Sequence, residues 1–458
     1  VVTVAYLANL FPSPVEPYVG AEIEELRRRG VDVIAGSVRR PEGREWASSA
    51  DRDPADRNSG DPDWDFVVLQ PLGIGLLARA AWMCLRRWRR IADLIERVVF
   101  QGQETPAQRV KALLHTWLGA CYALRLQKRE VQHLHVDHIN VHHIHVHHGY
   151  FGAWVAMVAA RLLNVGYSMT LHGSDLLTHA AYLDAKLKHC RFCVTISEYN
   201  RAYILEHYPG VEAGKVIVAR LGVDVPEPAH AVEGTRAPWD SRLRLLAVGR
   251  LHAVKDHAFL LRACVQLCQR GLDFQCEIAG EGPERGKLEG LIREYAIEER
   301  VKLLGHVPRE QLGRHYQMAD VVVLTSRSEG IPVALMEAMA RGKIVLAPAI
   351  TGIPELVVEG QTGFLYEPGS VEDFVKKILW LDSLTHESSS LVPGVAGANR
   401  LDWARYRARE QVRRHFNRGK NLESFGNLFL ERVLEAVLER AAGLRENSPH
   451  EDPLLQQI

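Results

Sequence analysis

Two acids and two cations in the second half of the chain have the types and spacing to hold a charged substrate. Glu329 and Glu337 stand with seven residues between them in SEGIPVALMEAMARG, and Arg250 and Lys255 stand in LAVGRLHAVKD. Both segments follow β-branched or aliphatic runs, which places them at the carboxyl ends of strands, where open α/β sheets bind ligands. Pro332 near a first helical turn and Gly342 just past a last one set a helix start directly after Glu329. The backbone of Gly330, Ile331, Pro332 and Val333 would then lie at the positive end of a helix dipole. A nucleotide diphosphate is the natural guest. The two cations would neutralise its phosphates, Glu337 inside the helix would reach ribose hydroxyls, and Glu329 in the loop would hold a sugar hydroxyl. Two glutamates at this spacing mean little alone in a chain with 56 acidic residues. The strand-end context supplies the specificity, against the plainer reading of solvated loop charges.

Elements able to position these groups recur along the whole chain. Short β-branched runs alternate with helical patterns, the signature of parallel sheets covered by helices on both faces. A first series has strands expected at 1–8, 31–36, 66–69, 141–147, 166–171, 192–196 and 215–219, with helices such as 22–29 and 153–163. A second has strands expected near 243–248, 273–279, 300–304, 320–325 and 343–347. The segment 223–242, with three prolines and little periodicity, reads as the linker. Domains are therefore expected at 1–222 and 243–400, followed by two long helices over 401–443 and a polar tail at 444–458. Residues 40–65 are rich in Asp, Pro, Ser and Gly and read as a mobile insertion.

With 458 residues, the chain is past the size of one hydrophobic core. Its 47% hydrophobic and 24% charged residues match soluble globular averages and exclude a polytopic membrane protein. Lys+Arg and Asp+Glu are both 56, so no global attraction to nucleic acid is expected. Seven cysteines without regular spacing read as reduced thiols. Cys190 and Cys193 form a C-x-x-C that lacks a second pair and runs into a strand, so both are expected to be buried structural thiols. The opening segment VVTVAYLANLF lacks a basic start and a small-residue cleavage site and reads as a strand. GEGPERG misses the dinucleotide fingerprint because its last glycine, Gly286, falls one place late.

The set GRL-x3-K, AGEGP, GHVP, SEG-x-P-x2-LMEAMA, GIPELV and GQTGFL, in this order, resembles the donor domain of glycosyltransferase family 4. The resemblance implies an α/β GT-B fold, two doubly wound Rossmann-like domains facing a cleft, with C-terminal helices crossing back to the first domain. It implies transfer from a nucleotide-sugar donor with retention at the anomeric carbon and without a bound metal or other cofactor, UDP-sugar being the commonest donor. Carried over by position, Glu329, Glu337, Arg250 and Lys255 would bind that donor. In the first domain, YSMTLHGSDLL puts His172 at a strand end, where the family carries a His near donor sugar and acceptor. The family's N-terminal Gly-Gly loop is represented by the single Gly20, with Glu22 two residues later. This variant resembles the branch that builds exopolysaccharides such as colanic acid.

The run HLHVDHINVHHIHVHHG holds histidines at 133, 135, 138, 142, 143, 145, 147 and 148. On a strand His143, His145 and His147 would share one face, but a linear row makes no tetrahedral metal site. His147 and His148, at the strand's end beside Gly149, and Asp175 after His172, are instead candidates to touch an acceptor.

Residues 66–130 carry eleven Lys/Arg against four Asp/Glu, with Arg86, Arg87, Arg89 and Arg90 clustered beside Trp82 and Trp88. Apolar stretches too short to span a bilayer join this cluster, so amphipathic helices over 72–130 are expected to meet a membrane surface. The expected partners are a nucleotide-sugar donor and a glycan or lipid-linked acceptor, with the protein cytoplasmic at the inner face of the membrane. Two rival readings are a nucleotide-sugar epimerase on the same fold and a non-catalytic nucleotide-sugar- or metal-binding protein at the membrane.

Overall fold

The computed structural model describes residues 1–13, 16–39, 66–127, 129–131, 134–136, 141–178, 180–226, 242–386 and 400–447. The 40–65 insertion, most of the 223–242 linker and the end of the 444–458 tail lie outside them. The described chain forms two compact units.

The first unit holds β1 (Thr3–Ala8), β2 (Asp32–Ser37), β3 (Phe66–Val68), a hairpin of β4 (Arg129–Val131) and β5 (Leu134–Val136), then β6 (His143–His147), β7 (Gly166–Leu171), β8 (Cys193–Thr195) and β9 (Val216–Val218). Seven of these make one sheet in the order β3-β2-β1-β6-β7-β8-β9, every neighbouring pair parallel. The chain leaves β1 toward β2 on one side and returns through β6 on the other. The carboxyl ends of β1 and β6 therefore flank a switch point, where crossover helices diverge and leave space for a ligand.

Alternation on these strands serves two cores. Ala5, Leu7, Ile144 and Val146 join a cluster with the helices Ile74–Arg86, Ala92–Phe100, Pro106–Leu126 and Phe151–Leu163. Val4, Tyr6 and Ala8 face the opposite cluster, covered by the helix Pro17–Arg28 and by Phe425, Phe429 and Val433. The helix Pro106–Leu126 starts on a capping box, in which Thr105 and Gln108 satisfy each other's backbone amides, with Pro106 at the first position. Midway along it Gly119 lets the helix Phe151–Leu163 approach: a Cβ there would lie 2.7 Å from Cβ of Val158. Trp154, fully buried in that contact, donates its indole N–H to Thr116 Oγ1 at 2.9 Å. Truncating such a side chain costs about 3–5 kcal/mol.

The second unit holds β10 (Leu243–Val248), β11 (Phe274–Ala279), β12 (Val301–Gly305), β13 (Val321–Val323), β14 (Ile344–Pro348) and β15 (Phe364–Tyr366), in the order β12-β11-β10-β13-β14-β15. All pairs are again parallel. Leu243, Leu245 and Ala247 enter one core and Leu246 the other, so the strand reads as a continuous apolar run. Its switch point lies at the ends of β10 and β13. The edge strand β15 was not among the expected strands; it is three residues long inside GQTGFLY, too short for a period to register.

The C-terminal helices divide differently from expectation. Both were expected on the first domain, yet Arg400–His415 stays with the second unit, where Leu401, Ala404, Ala408 and Val412 are buried in its two cores. The crossing happens afterwards, from Leu422 within the helix Arg418–Asn447. The second unit also takes in more than expected, Ser197–Asn200 and the chain from Arg220 onward, where Val223 exchanges backbone hydrogen bonds with Phe416 and Arg418.

Candidate active site

In the second unit, β10 runs into a loop that ends at Asp256, whose side chain caps the helix His257–Gln269 by accepting from the Phe259 amide at 3.2 Å. β13 runs into the loop Leu324–Pro332 and the helix Val333–Ala340. The two loops are tied together. Thr325 Oγ1 donates to the Lys255 carbonyl at 2.9 Å, the Arg327 amide donates to the Val254 carbonyl at 2.8 Å, and Arg327 Nε reaches Asp256 at 2.7 Å. Within this frame Lys255 Nζ hydrogen-bonds Glu329 Oε1, which also accepts from Ser326 Oγ at 2.6 Å. The two side chains keep 20% and 12% of their surface exposed, so solvent or a ligand reaches the pair.

Glycines let the backbone close in around these loops. A Cβ on Gly280 would sit 1.9 Å from the Gly249 carbonyl oxygen, and one on Gly352 would sit 2.4 Å from that of Gly330. The GEGP and GIPEL segments thus brace the loops holding Arg250, Lys255 and Glu329.

Arg250 is exposed and makes no ion pair among the described residues, so it does not join the Lys255–Glu329 contact. Glu337 faces elsewhere. It accepts from Tyr316 Oη at 3.0 Å and lies 3.7 Å from the Arg309 guanidinium, lining a cavity of about 120 Å³ together with Asp224, Leu312 and Arg341. Burial, then the charge of Glu337, push the Tyr316 phenol well above its ordinary pKa. The sequence placed Glu329 in the loop before a helix and Glu337 inside that helix, and the fold gives them separate partners: the loop acid meets the lysine, and the helix acid meets Tyr316 and Arg309. Ile331 is buried at the same helix start and Val333 is exposed.

In the first unit, the expected residues His147, His148, His172 and Asp175 come together at the β1/β6 switch point. His147 Nε2 lies 2.7 Å from Glu22 Oε2 and 2.8 Å from Tyr6 Oη, and Tyr6 Oη also hydrogen-bonds Glu22 Oε2. His147 Nδ1 lies 3.0 Å from His172 Nε2, and the Tyr18 ring is 4.9 Å from that of His172. Asp175 is fully buried and gathers the amides of Gly149, His172 and Gly173 at 2.8–3.0 Å. His148, at φ 70°, bonds Glu16 at 2.8 Å and faces Asp175 at 3.5 Å. Burial opposes its charge, but Asp175 and Glu16 outweigh burial and raise its pKa to about 9. His172 shifts the other way: burial, then the charges of His148 and His147, lower it well below the ordinary histidine value.

Gly20 differs from expectation. It lies on the helix Pro17–Arg28 and not in a loop, and a Cβ there would meet nothing within 4 Å, so no close backbone approach requires a glycine. The two histidines that precede His147 on β6 bond to neighbouring side chains of the sheet, although His143 Nδ1 has no hydrogen-bond partner among the described residues. His143 and His145 are buried, bonding Ser168 Oγ at 2.7 and 2.8 Å, and His145 Nε2 bonds Thr170 Oγ1 at 3.0 Å. Burial lowers the His143 pKa to about 3. No group of three or more His, Cys, Asp or Glu side chains among the described residues is arranged to hold a metal ion; the side chains of His133, His135 and His138 lie outside them. Cys190 and Cys193 are buried free thiols, with Cys190 pushed up to about 12 by burial.

Sequence reasoning did not single out Lys186. It is fully buried, its Nζ donates to the carbonyls of Gly149 and Ala181 at 2.7 Å each, and burial lowers its pKa to about 7. It fixes the loop that carries His148. No local signal marks it, because LDAKLKH offers two lysines of equal character.

Of the amphipathic helices, Ile74–Arg86 exposes Ile74, Trp82 and Leu85, and Pro106–Leu126 exposes Val110, Leu113 and Leu114. Neither helix contains an acid, and together they carry Arg79, Arg86, Arg109, Lys111 and Arg125. No described helix is long and apolar enough to cross a membrane.

Residues 237–390 match the family described as glycosyl transferases group 1. The chain is 32% identical over 214 residues to the putative colanic acid biosynthesis glycosyltransferase WcaL of Salmonella typhimurium, covering 45% of this chain and 49% of that protein. It is 34% identical over 195 residues to the amylovoran biosynthesis glycosyltransferase AmsK of Erwinia amylovora, covering 41% and 46%. The chain thus spans about half the length of the curated relatives it matches. Among solved structures it resembles Anabaena HepE in complex with UDP and glucose, with a TM-score of 0.62 at 16% identity over 94% of this chain and 100% of that one. That likeness is one of fold, and the fold is GT-B, with two parallel-sheet Rossmann-like units.

Proposed function

We propose that this chain, whose residues 237–390 carry the glycosyl transferases group 1 match, is a retaining glycosyltransferase acting in bacterial exopolysaccharide biosynthesis. Its donor is a nucleotide-diphosphate sugar, and its acceptor is a glycan or a lipid-linked sugar. The observation that carries this reading is the Lys255–Glu329 pair, held on two braced loops at the β10/β13 switch point inside the matched segment. Lys255 and Arg250 supply positive charge to the diphosphate, Glu329 holds a donor-sugar hydroxyl, and Glu337 receives ribose hydroxyls in the cavity beside Tyr316. The bond from the anomeric carbon to the phosphate oxygen breaks as the acceptor oxygen bonds to the same face. The departing phosphate oxygen takes the acceptor's proton, so no separate base is required.

UDP is the favoured nucleotide, in line with the ligands of the HepE structure. His172 orients the sugar, with His147, His148 and Asp175 on the acceptor side. The acid-free, apolar faces of Ile74–Arg86 and Pro106–Leu126 suit an anionic membrane surface and hence a lipid-linked acceptor at the cytoplasmic face. Thermal-shift and transfer assays with UDP-, GDP- and ADP-sugars, with and without EDTA, test the reading. Stabilisation by one nucleotide family, indifferent to EDTA and lost in Glu337→Ala, is the expected outcome. No response to any of them would overturn it.

A further inference from the structure

Glu329 is held by one of its two carboxylate oxygens. Lys255 Nζ and Ser326 Oγ both donate to Oε1, the serine at 2.6 Å, and Oε2 has no partner among the described residues. The backbone around the site is tied down as well. Thr351 Oγ1 donates to the Glu329 carbonyl, Thr325 Oγ1 to that of Lys255 at 2.9 Å, and Tyr366 Oη to that of Leu324 at 3.1 Å. The open oxygen therefore sits on a fixed loop, and as part of a carboxylate it only accepts hydrogen bonds. The two donors on Oε1 differ in what a ligand would do to them. Lys255 carries the charge that a diphosphate attracts, its side chain is 20% exposed, and of its three N–H groups only the one on Glu329 is used among the described residues. Ser326 is neutral and buried, and its hydroxyl has Glu329 as its only partner among the described residues. A diphosphate competes for the lysine and leaves the serine where it is.

We propose that Ser326 is a positioning residue for the donor sugar: it keeps Glu329 anchored by Oε1 when Lys255 turns to the diphosphate, and so presents Oε2 to the sugar. This rests on the reading of the Lys255–Glu329 loops as a donor site and deepens it. Once the lysine is shared with the phosphates, the carboxylate faces a second anion nearby, and like charges repel. A neutral hydrogen bond from a buried hydroxyl is indifferent to that change and holds the acceptor direction. Without it, Glu329 would keep its charge but lose its aim, and a small misplacement of a positioning group weakens its contact steeply. The group that Oε2 takes must itself donate, so it is a hydroxyl or an amide N–H of the sugar, not a carboxylate.

Calorimetric titration of the full chain separates the sugar's share of binding from the nucleotide's and needs no acceptor. UDP, GDP and ADP are titrated beside UDP-glucose, UDP-galactose, GDP-mannose and ADP-glucose, and the readout is the ratio of the diphosphate Kd to the nucleotide-sugar Kd. In the unaltered protein at least one attached sugar should tighten binding. In Ser326→Ala the diphosphate Kd should stay within about twofold while the ratio falls roughly three- to tenfold. Ser326→Cys, which keeps the size of the side chain and donates poorly, should behave alike and decides the matter if Ser326→Ala disturbs the loop. Glu329→Ala should abolish the ratio, and the double variant Ser326→Ala/Glu329→Ala should bind the nucleotide sugar no more weakly than Glu329→Ala alone, because the serine acts only through that carboxylate. An unchanged ratio in both serine variants, losses that add in the double variant, or a diphosphate weakened as much as its sugar conjugate would overturn the proposal. Diphosphate binding to which no sugar adds affinity would overturn it too, and leave the nucleotide site standing. No binding of any diphosphate would remove the donor reading itself, and this inference with it.

Discussion

Lys255 Nζ is hydrogen-bonded to the carboxylate of Glu329 across 74 residues of chain, which makes the ends of β10 and β13 one site. The pair is only partly exposed, at 20% and 12% of side-chain surface, yet it is not sealed, so each partner can exchange the other for a ligand group. Both groups keep contact with solvent, so breaking the pair costs stability on the order of 1–2 kcal/mol, between a surface pair and a buried one.

Lys255→Ala and Glu329→Gln should therefore separate function from folding. Sugar transfer should fall by about 10²–10³-fold in kcat/KM, as for loss of one preorganised electrostatic contact. The melting temperature should move by only a few degrees. A variant with undiminished transfer would remove that residue from the reacting centre.

His148 should make stability depend on pH. Its folded pKa of about 9 lies above the ordinary value of 6.5, so the folded state holds a proton that the unfolded state releases. The resulting stabilisation is complete below about pH 6.5 and disappears as pH rises through about 9. Urea unfolding of His148→Gln should show a deficit on the order of 2–3 kcal/mol at pH 6 that shrinks toward zero by about pH 10. A gap that stays flat over this range would mean that Glu16 and Asp175 do not hold a charged ring.

The glycines that brace the loops holding Arg250, Lys255 and Glu329 should differ sharply from glycines nearby. Gly282→Ala would put a Cβ 2.4 Å from the Leu251 carbonyl oxygen, a backbone atom that cannot swing aside. A loss of about 1–3 kcal/mol is expected, together with weaker nucleotide-induced thermal stabilisation. Gly286→Ala, in the helix Arg285–Glu294 with nothing within 4 Å, should gain about 0.5–1 kcal/mol. Equal behaviour of the two would show that the loops are not braced as described.

The exposed face of Ile74–Arg86 should bind anionic vesicles. Replacing Ile74, Trp82 and Leu85 by Ser removes side chains that are 87%, 66% and 69% exposed, so folding should be barely affected. Co-sedimentation with phosphatidylglycerol vesicles should weaken at least about tenfold. High salt should weaken binding of the unaltered protein, and phosphatidylcholine vesicles should hold less of it. Equal sedimentation of variant and parent would place the contact elsewhere.

Much of the architecture was legible in the sequence because its signals are local. The β-branched runs at 243–248 and 320–325 anticipated β10 and β13, and Pro332 and Gly342 bracket the helix Val333–Ala340, as their backbone preferences require. Those signals placed Lys255 and Glu329 at the carboxyl ends of strands in one sheet; that the two strands are neighbours follows only from the sheet order. The alternation in HIHVH likewise set His143, His145 and His147 on one face.

Partners across the chain were another matter. Periodicity gives the helix Arg418–Asn447 an apolar stripe of Phe425, Phe429 and Val433, but a stripe has no address; only packing decides that it covers the histidine face of β6, where Phe429 meets His145 at 4.9 Å. The same holds for Arg400–His415, whose four buried side chains fit the second unit and not the first. Glu22, Tyr6 and Lys186 look like ordinary members of their segments, and they acquire their roles from what the fold places against them. The amino-acid sequence by itself determined which segments are strands and helices and which faces they bury, because those follow from neighbours a few residues away. The tertiary structure alone decided which histidine is held by which carboxylate and which lysine is closed off from water, because hydrogen-bond geometry and desolvation depend on atoms brought together from distant parts of the chain.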